Sequence, residues 1–135
     1  MSDTPDTSTA LDAAVDAIEG GYEFLLAYAA QGRHTDRNAA AAQSPRPRLE
    51  AMAAALESLP GLARAAAAGT GALEQGKAFF DAVERDAAIA ASAIRLVLQQ
   101  ADIGSQIVDN LNASIHLRAA LTDLFLLDEI LARDS

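Results

Sequence analysis

Alanine supplies 33 of the 69 hydrophobic residues in this 135-residue chain, leaving only 36 larger apolar side chains to build a core. Alanine is the strongest helix former, and it lets neighbouring helices approach closely. Nothing competes with helix: valine totals four, and no short alternating run of β-branched residues occurs. The chain is therefore expected to be all-α.

Apolar spacing places the helices. Leu11, Val15, Ile18, Tyr22, Leu25, Leu26 and Ala29 recur at helical intervals over residues 10–31, with Asp12, Asp16, Glu19 and Glu23 on or beside the other face. Gly20-Gly21 interrupts this helix, and a close helix crossing would explain its tolerance. Leu49, Met52, Ala53, Leu56 and Leu59 form the next stripe, with Pro60-Gly61 expected to kink or restart the helix. A third helix is predicted over 72–101, its alanine-rich arc running from Leu73 and Phe80 to Val97 and Leu98, and a fourth over 105–133. The expected architecture is an up-down four-helix bundle: a disordered tail at 1–8, then one helical domain over 9–135 with a long loop near 33–47.

Charge and composition exclude several function classes. Ten basic residues face 19 acidic ones, a net charge of −9, which disfavours nucleic acid as a partner. The exception is residues 33–48, where Arg33, Arg37, Arg46 and Arg48 oppose Asp36 alone, a candidate contact for an anion or an acidic partner. Without cysteine there is no disulfide, thiolate metal site or cysteine nucleophile. No charge-free window is long enough for a membrane span, and the polar, acidic first residues do not resemble an export signal. A cytoplasmic protein is expected, and the alanine richness suggests a high-GC bacterial source. None of the seven glutamates has a histidine three residues later, so the di-iron pattern of helical bundles is missing and no cofactor is implied.

The fourth predicted helix concentrates the functional signals. Treated as continuous, it carries an apolar arc of Ile103, Ile107, Leu111, Leu117, Leu121, Leu124 and Phe125. Asn110, Ser114, Arg118 and Asp128 project into that same arc, and Ser105, Asp109, Asn112, His116 and Asp123 lie opposite. Polar groups on a core face need partners. They are read as bonds to a neighbouring helix, as register-setting groups in a subunit interface, or as the lining of a small polar pocket around Arg118, with Tyr22 and Tyr28 beside it. Farther along, Leu124, Phe125, Leu126, Leu127, Ile130 and Leu131 cover nearly the whole helix circumference, more than one bundle face can hide.

His116 offers the one chemical alternative, as a phospho-accepting imidazole. The run Ser114-Ile-His-Leu-Arg118 resembles the His-x-Leu-Arg core of sensor-kinase dimerisation helices, a resemblance that implies phosphotransfer at His116. Free-standing histidine phosphotransfer domains favour lysine and glycine after the histidine, where this chain has Leu117 and Arg118. The leading expectation is a non-enzymatic accessory, adaptor or regulatory protein. It would form a homodimer or bind another protein through its C-terminal helix, using Asn110, Ser114, Arg118, Leu127 and Asp128.

Overall fold

A computed structural model describes residues 7–132, and side-chain burial over 9–131. Six helices account for most of these residues, and no strand occurs among them: α1 (Thr7–Ala29), α2 (Pro45–Ala67), α3 (Ala72–Gln75), α4 (Lys77–Leu98), α5 (Ser105–Ala113) and α6 (Ile115–Ala132). The predicted tail overlaps this helical region at Thr7 and Ser8, and its other residues lie outside the described ones.

Helix α1 packs along α2, α2 along α4, α4 along α6, and α5 returns to α1. Cross-helix pairs fix the directions. Arg64 meets Asp81 and Glu84, while Arg95 meets Glu57 and Glu50, so residue numbers rise on α4 as they fall on α2. Gly21 lies against Met52, and Arg48 sits 5.0 Å over the Phe24 ring, which makes α1 and α2 antiparallel too. At Gly21 a Cβ would collide with the buried Met52 side chain, so any larger residue there would force Met52 to move.

The core is continuous across these contacts. Ile18, Leu25 and Tyr28 come from α1, Leu49, Met52, Leu56 and Leu59 from α2, Val83 and Ile94 from α4, Val108 from α5, and Leu117 and Leu124 from α6. Fully burying one large apolar side chain stabilises by about 1.5–3 kcal/mol. Alanines fill the closest approaches, with Ala53, Ala63 and Ala67 on α2 and Ala87, Ala90 and Ala91 on α4 all buried.

Three boundaries differ from expectation, each for a local reason. Helix α2 begins at Pro45, because Pro45 and Pro47 occupy a first turn that needs no N–H donors, and the Ser44 side chain caps it by accepting from the Arg46 amide. The same helix continues through Pro60 and is not split there: buried Leu56, Leu59 and Ala63 hold both sides of the proline against the core. The carbonyl deprived of its donor borders a shallow cleft lined by Glu57, Pro60, Gly61 and Glu84. The predicted third helix is interrupted at Gly76, which separates the short α3 from α4.

The fourth predicted helix is two helices. Ser114 has extended backbone (φ −59°, ψ 129°), and its amide closes α5 by donating to Leu111 O at 3.0 Å. Its side chain then accepts from the His116 amide at 3.3 Å, capping α6. The break resets the helical phase, so positions beyond it no longer follow the 100° count from α5.

Candidate functional site

That phase reset redistributes the residues singled out on the fourth helix. On α5 the buried stripe is Ser105, Val108, Leu111 and Asn112, an i, i+3, i+6, i+7 pattern, and Asn110 is exposed. On α6 the stripe is Leu117, Ala120, Leu121, Leu124 and Leu127, and Arg118 is exposed. Asn110 and Arg118 therefore do not project into the core. Ser114 is the junction cap rather than an interface group. Leu127, expected at a binding surface, is 2% exposed and belongs to the core. Asp128 is half-buried near α1, where burial and then the carboxylates of Asp128, Asp16 and Glu23 push the Glu19 carboxyl above the ordinary glutamate range. His116 is exposed in the first turn of α6.

The arginines of residues 33–48 do not converge on one anion site. Arg46 is committed internally: its Nε donates to Asp36 at 2.7 Å, and its terminal nitrogens donate to the carbonyls of Leu98, Gln100 and Ala101 at the end of α4. Arg37 pairs with Asp102 at 2.8 Å. Arg33 donates to the side chains of Gln31 and Gln43 and lies 5.8 Å over the Tyr28 ring, while Arg48 stacks on Phe24.

Asp36, the single acid in that basic run, is the centre of a polar hub. Its other carboxylate oxygen accepts from the Ile103 amide at 2.9 Å. Burial pushes the Asp36 carboxyl up, but the Arg46 guanidinium and the Ile103 amide outweigh it and hold the group below the ordinary aspartate range. Beside it the Tyr28 hydroxyl donates to Ile103 O at 2.6 Å, and burial, then the Asp36 charge, raise its pKa. Ser105 donates to Tyr28 O and accepts from the Arg33 amide, and its own amide donates to Arg33 O. Gly104 completes the contact, since a Cβ there would lie 2.8 Å from the carbonyl oxygens of Arg33 and His34. Two shallow clefts of about 290 and 330 Å³ border the hub, lined by Arg33, His34 and Gln106 together with Asp109 or Asn110. Arg118 lines neither. Tyr28 is fully enclosed with its hydroxyl already bonded, so it does not line a pocket with Arg118.

Asn112 and Asp123, expected opposite the apolar arc, are instead buried and half-buried. The Asn112 amide donates to Leu25 O at 3.1 Å, tying α5 to α1. Between α4 and α6 the Asp123 carboxyl faces that of Asp86, and its Oδ2 is buried without a hydrogen-bond partner. Burial, then the Asp86 carboxyl, push Asp123 up to about 7. The signal for Asn112 lay in its spacing with Ser105 and Val108, which a continuous helix obscured.

What remains outward on α6 is apolar. Ile115 is 75% exposed, Phe125 49%, Leu126 50% and Ile130 43%. At 100° per residue, Ile115, Arg118, Thr122, Phe125, Leu126 and Glu129 share an arc of about 100°, with Ile130 about 40° beyond it. Arg118 forms no ion pair among the described residues, and it is the sole arginine or lysine of α6. No three His, Asp or Glu side chains gather as metal ligands among the described residues, and no helix there is long and apolar enough to cross a membrane. The chain matches no family model, no curated protein and no solved structure.

Proposed function

We propose that this protein is a small helical accessory or regulatory protein that acts by association, with itself or with a partner protein, through the outer face of α6. One observation carries the reading: four large apolar side chains, Ile115, Phe125, Leu126 and Ile130, stand outward on a helix whose other face is already buried. Internal packing gives no reason for Phe125 and Leu126 to be so large. The reading also takes the antiparallel ring as an up-down four-helix bundle, with α5 and α6 together forming the fourth rod.

Sedimentation of the wild type against Phe125→Asp tests it. The wild type is expected to associate at micromolar concentration, and the variant to be monomeric with unchanged helical circular dichroism. Phe125 suits this purpose because it is exposed, whereas an aspartate at Leu127 would enter the core. A wild type that stays monomeric and captures no partner through this face overturns the proposal.

A further inference from the structure

The inner side of α6 carries an acid where an apolar residue would pack. Leu117, Ala120, Leu121, Leu124 and Leu127 form its buried stripe, and Asp123 lies at the margin of that stripe, facing Asp86 of α4. Oδ2 of Asp123 is enclosed with no donor to satisfy it. Such an oxygen is tolerated on a neutral carboxyl and costly on a charged one. Two carboxylates facing each other at a helix contact cannot both ionise at low cost while the helices stay packed. Among the described residues the cation acting on Asp123 is Arg85 of α4, whose Nε stands 4.0 Å from Asp86 Oδ1. Its side chain is 68% exposed, so solvent screens it too strongly to neutralise the pair. No charged group of α1, α2 or α5 acts on Asp123 among the described residues; α1 presents Glu19 to Asp128 instead.

The two helices joined at Ser114 are held differently. Helix α5 is fastened to α1 by polar bonds, from the Asn112 amide to Leu25 O at 3.1 Å and from the Ser105 hydroxyl to Tyr28 O at 2.7 Å. Beyond it the extended backbone of Ser114 interrupts the helix, and α6 then lies chiefly along α4, its apolar stripe inward. We infer that ionisation of Asp123 releases α6 from α4 as a hinged unit, turning about Ser114 while α5 stays bonded to α1, so that rising pH uncovers the Leu117–Leu127 stripe. The direction follows from the proton. Burial and then Asp86 raise the Asp123 carboxyl to about 7 in the packed helix, and release returns it toward its ordinary value. The released form is therefore rarest below about pH 4, grows as pH rises, and levels off above about pH 7. Because Asp123 is only half-buried, screening limits the total rise to about tenfold. This release concerns the inner side of α6 and does not depend on what its outer face binds.

Amide hydrogen exchange of the full chain tests it, with each rate divided by that of an unprotected amide at the same pH. At about pH 8 the amides from Leu117 to Leu127 should exchange together and faster than the buried amides of α2, through an opening that small additions of urea barely accelerate. At about pH 5 that opening should be about tenfold rarer. Asp123→Asn should hold it at the low-pH level throughout, and Asp86→Asn, which removes only the facing charge, should retain part of the rise. Circular dichroism checks that both variants fold. The same pH dependence is expected in a Phe125→Asp background, which separates release of α6 from dissociation of a complex. If the α6 amides share the protection of α2 at both pH values, the chain opens only as a whole and the hinged release is overturned. A pH dependence that survives Asp123→Asn, or one that vanishes with Phe125→Asp, overturns it equally.

Discussion

Replacing Asp123 with asparagine should alter how stability depends on pH, in a direction that the carboxyl pair fixes in advance. In the wild type the Asp123 carboxyl faces Asp86 across α4 and α6, and burial with the neighbouring carboxyl raises it from 3.8 to about 7. Below about pH 4 the folded and unfolded chains both hold this proton, and the pair contributes its full stabilisation. As pH rises the unfolded chain releases its proton first; by about pH 7 the folded chain must do so too, and the contribution is lost. A rise from 3.8 to about 7 corresponds to about 4 kcal/mol in a fully enclosed site. Asp123 is only half-buried, and solvent screening of that degree reduces the figure to about 1–2 kcal/mol. The asparagine variant keeps a neutral donor facing Asp86 at every pH. Urea unfolding at about pH 5 and about pH 8, at one protein concentration, should show its stability relative to wild type growing by about 1–2 kcal/mol toward the higher pH. Carboxylates with the opposite slope, such as Asp36, are common to both proteins and cancel in the comparison. An equal difference at both pH values, or one that shrinks as pH rises, would refute the raised Asp123 pKa.

Further expectations concern the hub and the helix crossings. Arg46→Ala leaves Asp36 buried without its cation and three carbonyls at the end of α4 without a donor, and should cost about 3–5 kcal/mol in chemical denaturation; a loss below about 1 kcal/mol would show that water substitutes for the guanidinium. Gly104→Ala drives a methyl group onto two carbonyl oxygens and should lower the melting temperature, whereas Gly20→Ala, with open space at that position, should raise stability by about 0.5–1 kcal/mol. Leu127→Asp should unfold the chain, while Leu126→Asp should leave its helicity intact and act on association alone; matching far-ultraviolet spectra for the two would contradict their assignment to core and surface.

The repeating apolar stripes made the helical elements legible, because Leu49 to Leu59 and Phe80 to Val97 each follow one unbroken 100° count. The surplus of large apolar residues near Phe125 was equally visible, since no single stripe can hold six of them. What the stripes did not reveal was a break by a residue that is unremarkable inside a helix. Ser114 donates its amide to the Leu111 carbonyl behind it and accepts from the His116 amide ahead, and that single change of phase moved Arg118 and Asn110 outward while Asn112 and Asp123 became buried or half-buried. Periodicity arguments assume continuity, and a serine cap suspends it without any glycine or proline to mark the place. The hub was illegible for another reason. Asp36, Arg46, Tyr28, Ile103 and Ser105 come from separate segments, and only the antiparallel path of the chain brings them to one end. Its trace in the sequence was the lone acid within a basic run, which reads as surface charge until the end of α4 is found to face it.

The position of that hub gives the molecule a direction. Tyr28, the segment between α1 and α2, Arg46, the carbonyls of Leu98 to Ala101, and Ser105 all meet at one pole. The turn through residues 68–76 lies at the other, where exposed ion pairs such as Lys77 with Asp81 replace buried ones. Amide hydrogen exchange should accordingly be graded along the helices: slowest near the hub, where opening requires several charge-assisted bonds to break together, and faster toward residues 68–76, where one turn can open alone. Helix α6 starts beyond the hub and runs toward the looser pole. A second copy seated on its outer face would therefore slow exchange most where the isolated chain protects its amides least.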